Sequence, residues 1–173
     1  MVRETRVLMD TFCEISCYGD DKDAVVSAIG AAFKEIERIE RVFSKFNENS
    51  EVSKINAMAG LEKAAVTEEA FSLTQRAVYY SEISGGAFDI TVAPLMEIWG
   101  FVARHKSIPD RGLIEKTLES VGYKKIELDP KELSIRFLNK GTKIDFGGIA
   151  KGYAVDRAKD ILIAHGIKNG LIN

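Results

Sequence analysis

The chain opens on an alternation. Across residues 5–18, Val7, Met9, Thr11, Cys13, Ile15 and Cys17 share one side of an extended backbone, with charged or larger residues between them. This pattern predicts one long strand. The period then lengthens: after the capping residues Asp20, Asp21 and Asp23, the positions Val25, Ile29, Ala32, Phe33, Ile36, Ile39 and Phe43 recur at helical spacing. That stripe predicts an amphipathic helix whose apolar face is core. Residues 46–59 are polar and turn-rich, with Asn47, Asn49, Ser50, Ser53 and Asn56, and read as a loop carrying a short helix from Ser50.

Thr67 caps the next helix, with Glu68 and Glu69 in the first turn where the helix dipole favours anions, and Gly85-Gly86 ends it. Beyond Ile90 an apolar run to Trp99 predicts a further helical segment entered at Pro94, with Trp99 in the core. Pro109-Asp110 opens a short helix that closes at Gly122. Residues 124–128 and 133–138 then read as strands joined into a hairpin by Asp129-Pro130-Lys131-Glu132. A helix is expected over 150–165, with Ala154, Val155, Ala158, Ile161 and Leu162 on its packed side and Gly166 as its stop. A last strand begins in Ile167-Lys168-Asn169-Gly170-Leu171-Ile172-Asn173. The order predicts an α+β fold, a mixed or antiparallel sheet packed by helices, with residues 1–173 as a single domain. Because the last strand stops soon after it starts, that domain is expected to be incomplete at its C-terminal side.

Composition narrows the partners more than the fold. A hydrophobic fraction of 46%, a charged fraction of 29% and three prolines suit a chain that folds around a core. The net charge of −2 comes from interspersed signs, and the longest basic run is Lys124-Lys125, so nothing draws in a nucleic acid. No apolar stretch approaches the roughly 20 residues of a membrane-spanning helix, and residues 1–10 lack the apolar centre of a secretory signal. The compartment is left open. Cys13 and Cys17 lie too far apart along an extended strand to bond comfortably and read as small buried hydrophobes.

The chemistry sits in two glycine-rich segments that each carry a carboxylate. The first is Gly85-Gly86-Ala87-Phe88-Asp89-Ile90-Thr91-Val92-Ala93-Pro94-Leu95. The second is Lys143-Ile144-Asp145-Phe146-Gly147-Gly148-Ile149-Ala150-Lys151-Gly152-Tyr153-Ala154-Val155-Asp156. Residues without a Cβ permit positive φ and expose peptide N–H groups, which suits a phosphorylated ligand. The second segment is not a P-loop, because Lys151 precedes Gly152 and Tyr153 instead of following the second glycine before Ser or Thr. Gly147-Gly148 with Lys151 one turn into a helix is either a pyrophosphate cradle or an ordinary helix entry. Asp89 and Asp145 could accept bonds from ribose hydroxyls or a ring N–H, support a hard cation, or cap. His105 and His165 make no motif, no Ser-His-Asp or Cys-His pattern follows from local spacing, and catalytic residues stay unassigned.

Taken in order and spacing, Phe43-Ser44, Ser50-Glu51-Val52-Ser53-Lys54-Ile55-Asn56, the segment from Gly86 to Leu95, and Ile144-Asp145 followed by Ala150-Lys151-Gly152-Tyr153-Ala154-Val155-Asp156 resemble the ApbE-like FAD:protein FMN transferases. The resemblance runs over residues 9–173. It implies a T-fold-like α+β architecture and an enzyme that binds FAD and, with Mg²⁺, moves FMN to a threonine hydroxyl of a target flavoprotein as a phosphoester, releasing AMP. It further implies that Met9 and Phe46 contact the dinucleotide, that Ala87, Phe88 and Asp89 line its site, that Asp145 and Lys151 bind it, and that the Gly148 carbonyl reaches the metal. Members of the family commonly work outside the cytoplasm.

Three departures from the family pattern matter. Asp10 stands where the family usually has glycine. Phe46 stands where tyrosine is common, which removes a hydroxyl whose bond would contribute on the order of 1 kcal/mol. The Gly-Gly-Asp segment, the histidine-bearing strand and the Asp-Ala-Thr motif of the family are absent from this sequence. Mg²⁺ binding by this chain alone is therefore expected to be severely weakened, and little or no transfer is expected from it. An unpaired sheet edge would call for a second copy of the chain or a complementary C-terminal fragment. The alternative is a flavin-binding or assembly module without turnover.

Overall fold

The opening alternation folds as a hairpin, not as one strand. β1 (Val2–Leu8) and β2 (Thr11–Tyr18) pair antiparallel with Leu8 opposite Thr11. Met9 and Asp10 between them have φ of 53° and 59°. Two consecutive positive φ values are what a two-residue hairpin turn needs to match the strand twist, and the usual Asn-Gly signal is missing here. The turn also changes which face each residue takes. Val7 lies opposite Phe12 on the outer face and is 70% exposed, whereas Cys13, Ile15 and Cys17 point into the core.

Residues 1–58, 60, 62–101 and 108–173 are described by the computed structural model. They divide into two compact units: Met1–Phe43 with Ile149–Asn173, and Ser44–Gly148. In the first unit β6 (Asn169–Ile172) joins the hairpin antiparallel to β2, giving the sheet order β1-β2-β6. β1 and β6 are the edges of this sheet among the described residues. α1 (Lys22–Phe43) begins where Asp21 Oδ1 accepts from the Asp23 and Ala24 N–H groups, each at 3.0 Å. All seven positions of its expected stripe are buried, packed on the sheet and on α6 (Ala150–Ala164). α6 packs through Ala150, Ala154, Ala158 and Leu162, a narrow line of mostly small residues, and Val155 falls outside it at 38% exposure. The helix stops at Gly166, whose φ is 79°.

Both cysteines are reduced and buried in this core, as read from the sequence, and loss of hydration pushes both thiols above their ordinary pKa. A raised folded pKa keeps the thiols protonated where the unfolded chain would ionise them. Folding is therefore expected to weaken as pH rises through the thiol range. Iodoacetamide at mildly alkaline pH is expected to label neither cysteine in the native chain and both in urea, followed by mass spectrometry. Rapid native labelling would place the thiols outside the core.

The second unit is mostly helical. α2 (Glu51–Ala57) is capped by Ser50 Oγ, which accepts from the Ser53 N–H at 3.0 Å. α3 (Glu68–Ile83) is capped by Thr67 Oγ1, which accepts from the Ala70 N–H at 3.3 Å. α3 leaves through Ser84 into Gly85 and Gly86, with φ of 62° and 85°. A 3₁₀ turn (Ile90–Val92) leads into α4 (Ala93–Ile98), with Pro94 in its first turn. α5 (Arg111–Leu118) is capped by Asp110 and ends short of Gly122. β4 (Ile126–Asp129) and β5 (Ser134–Phe137) form the expected hairpin, and β3 (Ala64–Ala65) adds to β5, giving the order β3-β5-β4. Trp99, expected in the core, caps α4 at 37% exposure. Among the described residues no helix is long and apolar enough to cross a membrane.

Candidate functional site

The residues that carry the candidate site in the second unit are arranged around Asp145. Ile144 and Phe146 are fully buried on either side of it, so the local alternation anchors two apolar side chains and fixes the backbone between them. Asn56, near the end of α2, holds this backbone from the other side. Its Nδ2 donates to the Ile144 carbonyl at 2.9 Å and its Oδ1 accepts from the Ile144 N–H at 2.8 Å. The Asp145 N–H donates to the Ile90 carbonyl at 2.8 Å, which ties the second glycine-rich segment to the first.

The two carboxylate oxygens of Asp145 have different surroundings. Oδ1 accepts from the Gly147 N–H at 2.6 Å and closes the turn. Oδ2 is buried and 2.5 Å from Lys45 Nζ, a charge contact that lacks hydrogen-bond geometry, so this oxygen has a cation beside it and no aligned donor. Lys45 Nζ also lies 3.9 Å from Met96 Sδ and 5.3 Å from the centroid of the Phe46 ring, and that ring is 59% exposed. Gly148 packs closely on Phe88: a Cβ there would lie 3.0 Å from Phe88 Cε2, and the ring would have to give by a few tenths of an ångström. Within this unit, Lys45 thus touches both Asp145 and the Phe46 ring, and Phe88 packs against Gly148. A cleft of about 260 Å³ opens beside Lys45, bordered also by Ser53, Asn56 and the Lys143–Glu97 ion pair at 2.9 Å.

Asp89 is engaged differently. Its Oδ1 accepts from the Thr91 N–H at 2.8 Å and from the Thr91 hydroxyl at 2.6 Å, and its Oδ2 accepts from the Tyr123 N–H at 2.8 Å. Thr91 Oγ1 in turn accepts from the Gly122 N–H at 2.6 Å. The carboxylate therefore clasps the loop before β4 to the start of the 3₁₀ turn, the capping alternative raised by the sequence. Ala87 is exposed beside it, its N–H donating to the Ser84 carbonyl at 3.2 Å.

Met9 and Lys151 belong to the first unit. Met9 occupies the hairpin turn and its N–H donates to Glu40 Oε1 at 2.9 Å. Lys151 is exposed in the first turn of α6, whose cap residue Ile149 makes no side-chain capping bond. His165 Nδ1 lies 2.8 Å from the Ile161 carbonyl at the end of α6, while His105 lies outside the described residues.

Sequence reasoning missed Lys45 and Asn56 as partners of the Asp145 turn. Asn56 stands within the motif that carried the resemblance, and Lys45 precedes Phe46. Nothing local to either links it to residues so distant along the chain.

The same geometry tests whether these residues suit Mg²⁺. A hard cation needs several oxygen donors, usually with carboxylate charge. Among the described residues no three His, Cys, Asp or Glu side chains lie together to hold a metal. The Gly148 carbonyl would supply a single donor, and Asp145 Oδ2 is already beside an ammonium. These residues do not make a Mg²⁺ site by themselves.

Comparison with known proteins decides the family, because the ApbE family model matches residues 9–173. The chain belongs to the ApbE family. It is 30% identical over 167 residues to an FAD:protein FMN transferase of Klebsiella pneumoniae, covering 96% of this chain and 52% of that protein. It is 24% identical over 173 residues to an FAD:protein FMN transferase of Treponema pallidum, covering 96% and 48%. The crystal structure of the ApbE protein from Thermotoga maritima superposes with a TM-score of 0.87 at 35% identity, covering 98% of this chain and 54% of that one. The helix and antiparallel-sheet architecture is therefore that of the ApbE fold, and the chain spans about half the length of the relatives it matches.

Proposed function

We propose that this chain is the flavin-dinucleotide-binding part of an FAD:protein FMN transferase, and that by itself it binds FAD without turning it over. The observation that carries the reading is the family match over residues 9–173. The geometry around Asp145 supports it: a buried carboxylate oxygen without an aligned hydrogen-bond donor lies 2.5 Å from Lys45 Nζ, which is itself 5.3 Å from the centre of the exposed Phe46 ring. In the second unit, Phe46 offers an apolar face to the ring system, Ala87, Phe88 and Asp89 line the site, and Asp145 Oδ2 accepts a ligand N–H or O–H. The assignment extends to Met9 and Lys151 in the first unit, where the Lys151 ammonium and the uncapped start of α6 suit phosphate oxygens.

The reaction of the full activity is transfer of the FMN phosphoryl group to a threonine hydroxyl of a target flavoprotein. The bond between the FMN phosphorus and the AMP oxygen breaks, a bond to threonine Oγ forms, and the hydroxyl proton is released. Mg²⁺, when bound, would neutralise the pyrophosphate, but the residues described here do not hold it and no step is assigned through it. A donor set of one carbonyl leaves the displacement without the charge stabilisation that such transfers require.

The test is titration of the purified chain with FAD, with and without Mg²⁺, following flavin fluorescence, together with AMP release in the presence of a threonine-bearing acceptor peptide. Saturable quenching without AMP release is the expected result. AMP release would overturn the absence of turnover, and no quenching at any FAD concentration would overturn the binding assignment.

A further inference from the structure

We infer that Lys45 is a positioning residue for Asp145: it keeps the carboxylate oriented, and it cedes Oδ2 to an N–H or O–H donor of the ligand. The inference rests on reading the Asp145 turn as a flavin-dinucleotide contact.

Asp145 engages Oδ1 with the Gly147 N–H, so Oδ2 is the oxygen without an aligned protein donor. That oxygen is buried and has no hydrogen-bond donor. A buried carboxylate oxygen in this state persists only with a cation close by, and Lys45 Nζ is that cation at 2.5 Å. The contact balances charge, and because a carboxylate oxygen carries two lone pairs, Oδ2 can accept a ligand donor beside the ammonium.

The other contacts of Lys45 are soft. Its ammonium is 3.9 Å from a thioether sulfur and 5.3 Å from the centre of the Phe46 ring. A donor arriving at Oδ2 would shift the ammonium toward that ring face and sulfur without breaking an aligned hydrogen bond. Without Lys45, the carboxylate would turn toward water, Oδ1 would leave the Gly147 N–H, and the turn would loosen.

The experiment compares the 173-residue wild-type chain with Lys45→Met, which keeps the stem and removes the charge, and Lys45→Arg, which keeps the charge. FAD affinity, thermal melting and hydrogen exchange of the Gly147 amide are measured on each. Lys45→Met is expected to weaken FAD on the order of tenfold and to speed Gly147 exchange by a similar factor, with the exchange of core amides in α3 unchanged. Lys45→Arg is expected to recover most of both. Should Lys45→Met fail to fold, Lys45→Gln carries the same two expectations. Wild-type affinity and wild-type Gly147 protection in the uncharged variant would overturn the inference, as would an arginine variant no better than methionine. If the wild-type chain does not bind FAD, the reading of the site fails instead, and Gly147 exchange alone decides the role of Lys45.

Discussion

Replacing Asn56 with alanine is expected to destabilise the second unit by about 2–4 kcal/mol. The side chain makes two bonds to the same residue, donating to the Ile144 carbonyl and accepting from the Ile144 N–H. Each bond contributes only about 1 kcal/mol net while both partners are present. Removing Asn56 leaves a donor and an acceptor of Ile144 without their partner, and each stranded group costs about 1–3 kcal/mol. Both bonds are part-buried beside the cleft, so water offsets some of this and the sum falls toward its low end. Asn56→Asp is expected to be as harmful, because a carboxylate can still accept from the N–H but sets its second oxygen against the carbonyl. Urea unfolding with an unchanged m-value would measure the loss, and a difference below about 0.5 kcal/mol would mean that water replaces the side chain. Asp145 follows Ile144 directly, so FAD affinity is expected to fall alongside stability.

What the sequence revealed and what it concealed follow the range of the physical signal. Helices α1, α2, α3 and α6 were legible because a helix is specified by residues within a few turns: the buried stripe from Val25 to Phe43, the caps Ser50 and Thr67, and the stop at Gly166. The β4–β5 hairpin was legible from its connecting Asp129-Pro130-Lys131-Glu132. The first hairpin was not, because Met9 and Asp10 adopt positive φ without glycine or asparagine, and the apolar alternation runs through the turn as if it were strand. β3 has two residues and no period to detect. Val155 and Trp99 were misjudged because periodicity marks a broad face, whereas the alanine line of α6 and the end of α4 bury narrower ones. At the candidate site the glycine turns and their carboxylates were visible as types. Their jobs were not, since the partners of Asp145 and Asp89 are Lys45, Asn56, Gly122 and Tyr123, brought close only by the fold.

Substitution at Asp89 separates a structural role for its side chain from a ligand-binding one. Asp89→Ala removes the acceptor for the Thr91 N–H, the Thr91 hydroxyl and the Tyr123 N–H together, and is expected to cost about 2–4 kcal/mol of stability in the second unit. Asp89→Asn is the sharper probe. Its amide oxygen can still accept both Thr91 bonds, but its NH₂ group then faces the Tyr123 N–H, donor against donor, for an expected loss of about 1–2 kcal/mol. If the carboxylate acts through the clasp, both variants melt earlier in that order, and FAD affinity of the remaining folded protein changes little, because both Asp89 oxygens already have protein donors. The contrary pattern, unchanged melting with lost FAD binding, would make Asp89 a ligand contact whose bonds to Thr91 and Tyr123 are given up on binding. The contrast with Asp145 is physical. Asp89 has an aligned donor on each oxygen, while Asp145 has one oxygen held by a cation alone. Of the two, only Asp145 has a carboxylate oxygen without an aligned protein donor.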